Sequence, residues 1–284
     1  MIVCHELMRL RETITQWKQA GLRIGFVPTM GNLHAGHLSL IEQAQRRADK
    51  VVSSVFVNPL QFGEGEDFER YPRSLTTDAD QLRQQGCDLL FAPDVALMYP
   101  ELSEPVRVMV PRSLTGCLEG AVRPGHFDGV TTVVAKLFNM VQPDVAVFGQ
   151  KDYQQWRVLS AMVTELNWPI EMVKAPIVRA EDGLALSSRN QYLTPMQRQI
   201  APHLVRVLQA VVSDLSAGKR DFRGLEREAS ARLLAAGFDQ VDYVSIVDAQ
   251  RLTPACCADR DLVVLAVARL GTTRLLDNIE WSAV

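Results

Sequence analysis

Two histidines stand three residues apart in a short loop, at His34 and His37, with Gly36 between them. The loop follows an apolar run, 22–27, that is long enough for a buried strand, and residues with helical spacing follow it. A strand, a glycine-containing loop and a helix start form an anion site in this order, because amide groups at the helix N-terminus point toward the ligand. The imidazoles add donors that strengthen as phosphate charge develops. The loop therefore predicts a nucleotide-phosphate site.

The loop differs from the two common phosphate motifs, since neither Gly-Lys-Ser/Thr nor G-x-G-x-x-G is present in it. A zinc site is the competing interpretation of a His-x-x-His pair, and a purely structural pair is another. Zinc pairs usually stand four residues apart on a helix and need a third ligand at a defined spacing. We therefore favour phosphate binding and predict no metal ligands on the protein.

A second strand–turn–helix unit comprises a buried strand at 144–148, Gly149, and a helix over 151–167. Lys151 could reach a phosphate from this turn, and Gln155 lies one helical turn further on. The alternative is a solvated helix N-terminus, at which Asp152 only complements the helix dipole.

Two amides, Asn58 and Gln61, follow the strand predicted over 50–57. Uncharged amides suit a small polar substrate, although loop capping is the alternative explanation. Ligands of parallel sheets lie beyond the carboxyl ends of the strands, so the 58–61 loop and the 149–155 turn are expected to converge on one cleft. Arg123 and His126 are ambiguous in the same way.

The alternation of strands and helices predicts an α/β fold with a doubly wound parallel sheet. A further strand is expected over 106–110. After Pro176 the composition changes, so we place a domain boundary between 1–177 and 178–284. The second domain is predicted as α+β, with helices over 195–216 and 222–236 and a small antiparallel sheet. Its polar segment Ser187-Ser188-Arg189 is either a linker or a mobile lid that closes on a triphosphate.

Composition narrows the class of protein. The 284 residues carry a net charge of -3, with 47% hydrophobic and 22% charged residues, so no general attraction to nucleic acid is expected. No apolar run approaches the roughly 20 residues that span a bilayer, and 1–17 does not resemble a signal peptide. The five cysteines are scattered, which favours buried thiols in a reducing cytoplasm over disulfides or zinc.

Six motifs in order carry a resemblance to a known family: 28–37, 56–62, 71–73, 123–127, 148–155 and 182–190. Together they resemble the pantoate–β-alanine ligases, which belong to the nucleotidyltransferases with a His-x-Gly-His loop. The resemblance implies a Rossmann-like first domain and a smaller C-terminal lid domain. It covers nearly the whole chain and weakens only in the C-terminal part.

The resemblance also implies roles for individual residues. His37 would be the proton donor, and His34 and Lys151 would join it on the phosphates. Gln61 and Gln155 would hold pantoate. Residues expected to contact ATP are Met30, Gly31, Asn32, Leu33, His34, Ala35, Gly36, His37, Gly149, Gln150, Lys151, Asp152, Val178, Leu186, Ser187, Ser188 and Arg189. Residues expected near the substrate pocket are Asn58, Tyr71, Arg123 and His126.

Two positions fit the resemblance less well. Gln150 stands where other members carry Glu, which leaves its contact with ATP open. Asp78 is only a weak candidate for a Mg²⁺ ligand.

The implied reaction uses ATP with Mg²⁺ to condense pantoate and β-alanine through pantoyl adenylate, releasing AMP and pyrophosphate. The family also implies a cytoplasmic homodimer. The first alternative is an adenylyltransferase of the same superfamily that acts on another small substrate. A non-catalytic ATP-sensing module and a metal-dependent hydrolase using His34 and His37 are the others.

Overall fold

A computed structural model describes residues 1–63, 65, 66 and 68–283 of the chain. The chain divides into two compact units. The N-terminal unit comprises Met1–Pro111, Arg123–Gly149 and Gln155–Pro176. The C-terminal unit comprises Arg112–Val122, Gln150–Gln154 and the chain from Ile177 onward.

The N-terminal unit contains a six-stranded sheet in the order β1-β4-β3-β2-β5-β6, and all of its strand pairs are parallel. Its strands are β1 (Ile2–Cys4), β2 (Ile24–Thr29), β3 (Lys50–Val55), β4 (Leu89–Phe91), β5 (Val145–Gly149) and β6 (Glu171–Ala175). The central strands are almost continuously buried, as expected for a parallel sheet covered on both faces. The predicted doubly wound sheet is confirmed.

One or more helices stand between successive strands of the parallel sheet. The helices are α1 (Leu7–Gln19), α2 (Ala35–Gln45), α3 (Leu75–Gln84), α4 (Val95–Met98), α5 (Arg112–Thr115), α6 (Leu118–Val122), α7 (His126–Val141), α8 (Tyr153–Glu165), α9 (Pro195–Ile200), α10 (His203–Ser216) and α11 (Phe222–Ala235). No helix in the described ranges is both long and apolar enough to cross a membrane.

The chain order changes direction at β2, which pairs with β3 on one side and with β5 on the other. This reversal is the topological switch point of the sheet, where open α/β sheets bind their ligands. The loops that leave β2, β3 and β5 all begin at the same edge, because the three strands are parallel. The fold thus starts the His34–His37 loop, the 58–61 turn and the chain after Gly149 from one edge.

The C-terminal unit contains a three-stranded antiparallel sheet, β7 (Gln240–Asp248), β8 (Asp261–Leu270) and β9 (Thr273–Ser282). The predicted antiparallel sheet is confirmed. Side chains of α10, α11 and the sheet form one core, which includes Leu204, Leu208, Leu233, Val264 and Leu275. The core of the N-terminal unit includes Val27, Ile41, Leu90, Val145 and Val147.

The structure differs from the sequence predictions in three places. The helix expected over 195–216 is two helices, α9 and α10, with a turn at 201–202 between them. β1 was not expected, because its three residues gain their partner only from the distant β4. The strand expected over 106–110 is wrong: no strand is assigned to those described residues. Instead, the amide of Val108 donates to Thr132 Oγ1 and its carbonyl accepts from Thr131 Oγ1, so α7 side chains replace a partner strand.

Candidate active site

The loop between β2 and α2 brings the two histidines together. His34 is the N-cap of α2, and its Nδ1 accepts a hydrogen bond from the amide of Gly36 at 3.1 Å. The amide of His37 donates to the carbonyl of His34 at 2.8 Å, and the two ring centroids lie 4.1 Å apart. Because Nδ1 of His34 accepts a bond, the proton of the neutral ring is on Nε2, and Nε2 is a donor.

Several backbone amides of this loop have acceptors within the protein. The amide of Gly36 donates to His34 Nδ1, and the expected contact of Gly36 with ATP stays a prediction. The amides of Asn32 and Leu33 donate to the carboxylate of Asp78 at 3.0 and 2.9 Å. The amides of Asn32, Leu33, Gly36 and His37 therefore all have acceptors within the protein.

Asp78 is the residue here whose role sequence reasoning missed. It lies in α3 with 1% of its surface exposed, and it also accepts from Ser74 Oγ at 3.1 Å. No local pattern marks this role, because its two amide partners are more than 40 residues away in the chain. Among the residues that the structure describes, no three His, Cys, Asp or Glu side chains are grouped as a metal site requires.

Asn58 is a structural part of the turn after β3. Its Oδ1 accepts from the amide of Leu60 at 3.3 Å and from Tyr99 Oη at 2.8 Å. Its Nδ2 donates to the carbonyl of Gly129 at 3.1 Å and to Gln61 Oε1 at 3.2 Å. These four bonds use the full capacity of an amide, and 1% of the residue is exposed. The loop-capping alternative thus describes what Asn58 does in this structure.

Gln61 is held from several directions. Its Nε2 lies 2.7 Å from Met30 Sδ, which joins the 58–61 turn to the loop after β2. Its carbonyl accepts from Arg123 at 3.3 Å and interacts with His126 Nδ1 at 2.8 Å. Arg123 and His126 therefore hold the backbone of Gln61, a contact that the sequence motifs could not specify.

Arg123 is in turn oriented by Glu66. Its Nε and Nη2 donate to the two carboxylate oxygens at 2.7 and 2.6 Å. Burial alone would raise the pKa of Glu66, but the bonds from Arg123 outweigh burial and leave the pKa below its ordinary value. The carboxylate therefore stays charged, and a charged bidentate pair fixes the guanidinium plane.

Tyr71 and Gln155 also belong to the N-terminal unit. Tyr71 is 5% exposed, and its ring packs edge-on against Phe62 with centroids 5.9 Å apart. Gln155 lies in the first turn of α8, is partly exposed and follows the switch-point strand β5. Its place fits the predicted contact with a ligand at this edge, which stays a prediction.

The C-terminal unit contains the turn with Gln150 and Lys151. Asn278, which is 1% exposed, donates to the carbonyls of Gln150 and Lys151 at 3.0 and 2.9 Å. Its Oδ1 accepts from Gln150 Nε2 at 3.3 Å. Gln150 thus contributes to the shape of the turn, and Asn278 is a second residue that the motifs did not indicate.

Lys151 itself is partly buried, with 20% of its side chain exposed, and its Nζ lies 3.8 Å from Asp152 Oδ1. At that distance the carboxylate is a loose partner, so the ammonium group can accept an anionic ligand as a second partner. The exposed Asp152 directly precedes α8, a position compatible with the dipole alternative, and its contact with ATP stays a prediction.

Val178 and Leu186 lie opposite each other in a tight hairpin. The amide of Leu186 donates to the carbonyl of Val178 at 2.9 Å, and Gly183 at the tip has φ +94°. Arg179 secures the hairpin through a bidentate bond to the buried Asp277, at 2.6 and 2.9 Å. The hairpin leads directly to the Ser187–Arg189 segment.

Ser187 caps a 3-10 turn at 188–192, since its Oγ accepts from the amide of Arg189 at 3.3 Å. Asn190 returns to the hairpin through a bond from Nδ2 to the carbonyl of Ala185 at 3.0 Å. The segment is therefore an ordered turn joined to the hairpin. Its contact with a triphosphate stays a prediction.

Comparison with known proteins identifies the family. A sequence profile described as Pantoate-beta-alanine ligase matches residues 2–280. The chain belongs to the pantoate–β-alanine ligase family. It is 54% identical to a pantothenate synthetase of Hydrogenovibrio crunogenus, over 98% of this chain and 99% of that protein.

Solved structures of the pantoate–β-alanine ligase family agree with this fold. The crystal structure of pantothenate synthetase from Thermus thermophilus matches with a TM-score of 0.90 at 47% identity, covering 98% of this chain and 99% of that one. A pantoate–β-alanine ligase from Francisella tularensis, complexed with β,γ ATP and β-alanine, matches with a TM-score of 0.82 at 31% identity, covering 98% and 97%.

Proposed function

We propose that the chain is an ATP-dependent ligase that condenses pantoate with β-alanine to give pantothenate. The observation that carries the proposal is the family match over residues 2–280, in a chain that retains the paired imidazoles of His34 and His37 at the start of α2. The paired rings supply the donors that phosphoryl chemistry requires.

The reaction proceeds in two steps. A carboxylate oxygen of pantoate attacks the α-phosphorus of ATP, and the bond between the α-phosphorus and the bridging oxygen breaks to release pyrophosphate. The amine of β-alanine then attacks the acyl carbon of pantoyl adenylate, the acyl–oxygen bond breaks to release AMP, and the amine loses a proton. Neither step needs a protein nucleophile, so no covalent enzyme intermediate forms.

We assign the phosphate contacts to His34, His37 and Lys151. The Nε2 proton of His34 follows from the bond that its Nδ1 accepts. His37 is the proposed proton donor. The ammonium of Lys151 is the proposed substitute for the lysine of a P-loop, which this chain lacks. Donors placed where charge develops stabilise the transition state more than the ground state.

Gln61 and Gln155 are the proposed pantoate ligands. A short hydroxy acid is best recognised by a few fixed polar groups, and Gln61 is fixed through its carbonyl and its side chain. Arg123, His126 and Asn58 act by holding the 58–61 turn, and Tyr71 packs beside Phe62.

The C-terminal domain, which we place at 178–284, is the proposed lid. Pantoyl adenylate hydrolyses in water, so a lid with Ser187, Ser188 and Arg189 on the ATP would protect it. We also propose that Val178 and Leu186 contact ATP, together with Gly149 at the end of β5 and Gln150 and Asp152 after it.

Mg²⁺ is proposed to enter as MgATP. Magnesium binds mainly through phosphates, water and one or two carboxylates, and the described residues offer no grouped carboxylate site. The described residues therefore fit a Mg²⁺ ion that enters the site bound to the phosphates of ATP. A homodimer in the cytoplasm, without nucleic-acid or membrane partners, completes the proposal and is supported by the resemblance and the composition.

The test is an assay of AMP and pyrophosphate with ATP, Mg²⁺ and pantoate, with and without β-alanine. Multiple-turnover AMP release that requires β-alanine supports the ligase. The alternative is an adenylyltransferase for another small substrate, whose AMP release would not depend on β-alanine. If AMP release does not require β-alanine, the adenylyltransferase replaces the ligase as the proposal.

A further inference from the structure

The carboxylate of Asp78 is the anchor of the loop that carries the two histidines. Its Oδ2 accepts from the amide of Asn32 at 3.0 Å, and its Oδ1 accepts from the next amide, Leu33, at 2.9 Å. Ser74 Oγ donates to Oδ2 at 3.1 Å. Both oxygens are therefore engaged, and each of two consecutive amides has its own acceptor.

The loop backbone is shaped for this contact. Gly31 has φ +82° and Asn32 has φ +51°, so two successive residues adopt the left-handed conformation. Gly31 adopts this conformation without a Cβ penalty, and Asn32 is of the non-glycine type that tolerates it best, so the sequence suits the turn that the bonds to Asp78 hold. A Cβ on Gly31 would lie 2.9 Å from Asp78 Oδ2 and 3.0 Å from Val55 Cγ1, so only glycine admits the carboxylate.

The anchored residues lead directly into the proposed phosphate donors. Leu33 is 7% exposed and is followed by His34, whose extended backbone, with φ -142° and ψ 174°, begins α2. The place of the His34 ring thus depends on the 31–33 turn on one side and on α2 on the other. His37 follows through its amide bond to the His34 carbonyl.

We propose that Asp78 is a positioning residue for the adenylation step: it fixes the 31–33 turn and thereby the places of His34 and His37. This inference rests on the proposed function of the two histidines. It differs from a role of Asp78 as a Mg²⁺ ligand: two amides and a hydroxyl use three of the carboxylate's about four acceptor sites, and the residue is 1% exposed.

The central variant is Asp78→Asn in the full-length chain. The substitution keeps the size of the side chain but turns one acceptor into an NH₂ donor that faces an amide donor, so at least one loop bond is lost. We expect kcat for pantoate-dependent AMP formation to fall by up to about 10²-fold, as a displacement near 1 Å does. The KM for pantoate and the Mg²⁺ concentration for half-maximal rate stay near the wild-type values.

Three further variants serve as comparisons for Asp78→Asn. Ser74→Ala removes only the hydroxyl bond to Asp78, so it folds and lowers kcat by a smaller factor. Asp80→Asn is the matched control: Asp80 lies on the same helix, 60% of its side chain is exposed, and its partner is Arg83. It retains the wild-type kcat. Leu10→Ala controls for lost stability alone, because Leu10 is a buried side chain of α1. It lowers the melting temperature without lowering kcat of the folded enzyme.

A readout independent of catalysis is the ¹⁵N NMR spectrum of the imidazoles without ligands. Asp78→Asn shifts the Nδ1 and Nε2 signals of His34, because its bond to Gly36 depends on the loop, and Asp80→Asn does not. A wild-type kcat in Asp78→Asn, unchanged His34 signals, or activity restored by raised Mg²⁺ would each overturn the inference. If the wild-type enzyme releases no β-alanine-dependent AMP, the proposed function fails, while the NMR comparison still tests the anchor.

Discussion

Gly129 in α7 is where a single methyl group would reach the proposed pantoate site. A Cβ at this position would lie 2.1 Å from the carbonyl oxygen of Leu60 and 2.7 Å from the Cα of Gln61. Real Cβ contacts stay at 3.0 Å or more, so Gly129→Ala must move the 58–61 turn or the helix by about 0.9 Å. The bond from Asn58 Nδ2 to the Gly129 carbonyl resists that separation.

The magnitude follows from the atoms involved. Overpacking commonly costs about 1–3 kcal/mol, and backbone atoms cannot rotate away, so we expect about 3 kcal/mol. That loss corresponds to a fall of about 6–12 °C in the melting temperature for a domain of this size. Because Gln61 moves with its turn, kcat/KM for pantoate should fall by about 10²-fold, and the KM for ATP should change far less.

The assay is coupled AMP release at a temperature where both proteins are folded, together with thermal unfolding. Asn139→Ala, at an exposed position of the same helix, is the control and should behave as the wild type in both measurements. A Gly129→Ala enzyme with wild-type pantoate kinetics and melting temperature would refute the claim that α7 and the 58–61 turn are in contact. Equal losses for ATP and pantoate would refute the assignment of this turn to pantoate.

Three further outcomes are expected. His37→Ala should slow formation of pantoyl adenylate by about 10²–10³-fold in single-turnover experiments, because loss of one charge-stabilising donor has an effect of this size in other enzymes. A wild-type rate would contradict the proposed role of His37. Gln61→Ala should raise the KM for pantoate more than the KM for ATP in steady-state kinetics, and similar increases count against it. Glu66 has a lowered pKa in the folded protein, so its contribution to stability is present above the ordinary pKa of about 4.3 and is lost as pH falls through the lower folded value. Urea unfolding should therefore show Glu66→Gln less stable than wild type near pH 7, with the difference vanishing in acid; a difference independent of pH contradicts the ion pair.

The parts of the fold that depend on neighbouring residues could be predicted from the sequence. β2, its glycine-containing loop and α2 are contiguous, so their apolar run, glycines and helical spacing sufficed to predict a strand, a loop and a helix in this order. The phosphate site expected there stays a prediction. The antiparallel sheet was predicted for the same reason. β1 was missed because three residues carry too little pattern, and their partner strand lies at Leu89–Phe91.

The site's supporting contacts could not be predicted, because they join residues that are far apart in the chain. From the sequence, Asn58 could contact substrate or cap a turn. Its hydrogen bonds with Tyr99 Oη and the Gly129 carbonyl hold it in the turn in this structure. Asp78 carries no motif, and the two amides that give it a role belong to a loop 45 and 46 residues earlier. Likewise, nothing local indicates that Asn278 in β9 holds the carbonyls of Gln150 and Lys151.

The central claim is that pantoate is activated by transfer of AMP to its carboxylate. The most direct measurement uses pantoate labelled with ¹⁸O in both carboxylate oxygens, with ATP, Mg²⁺ and β-alanine, and determines the mass of the AMP released. Attack of the carboxylate on the α-phosphorus leaves one labelled oxygen in each AMP when the acyl–oxygen bond breaks, and we predict this single ¹⁸O. AMP released without ¹⁸O, while pantothenate is formed, would contradict the adenylate mechanism.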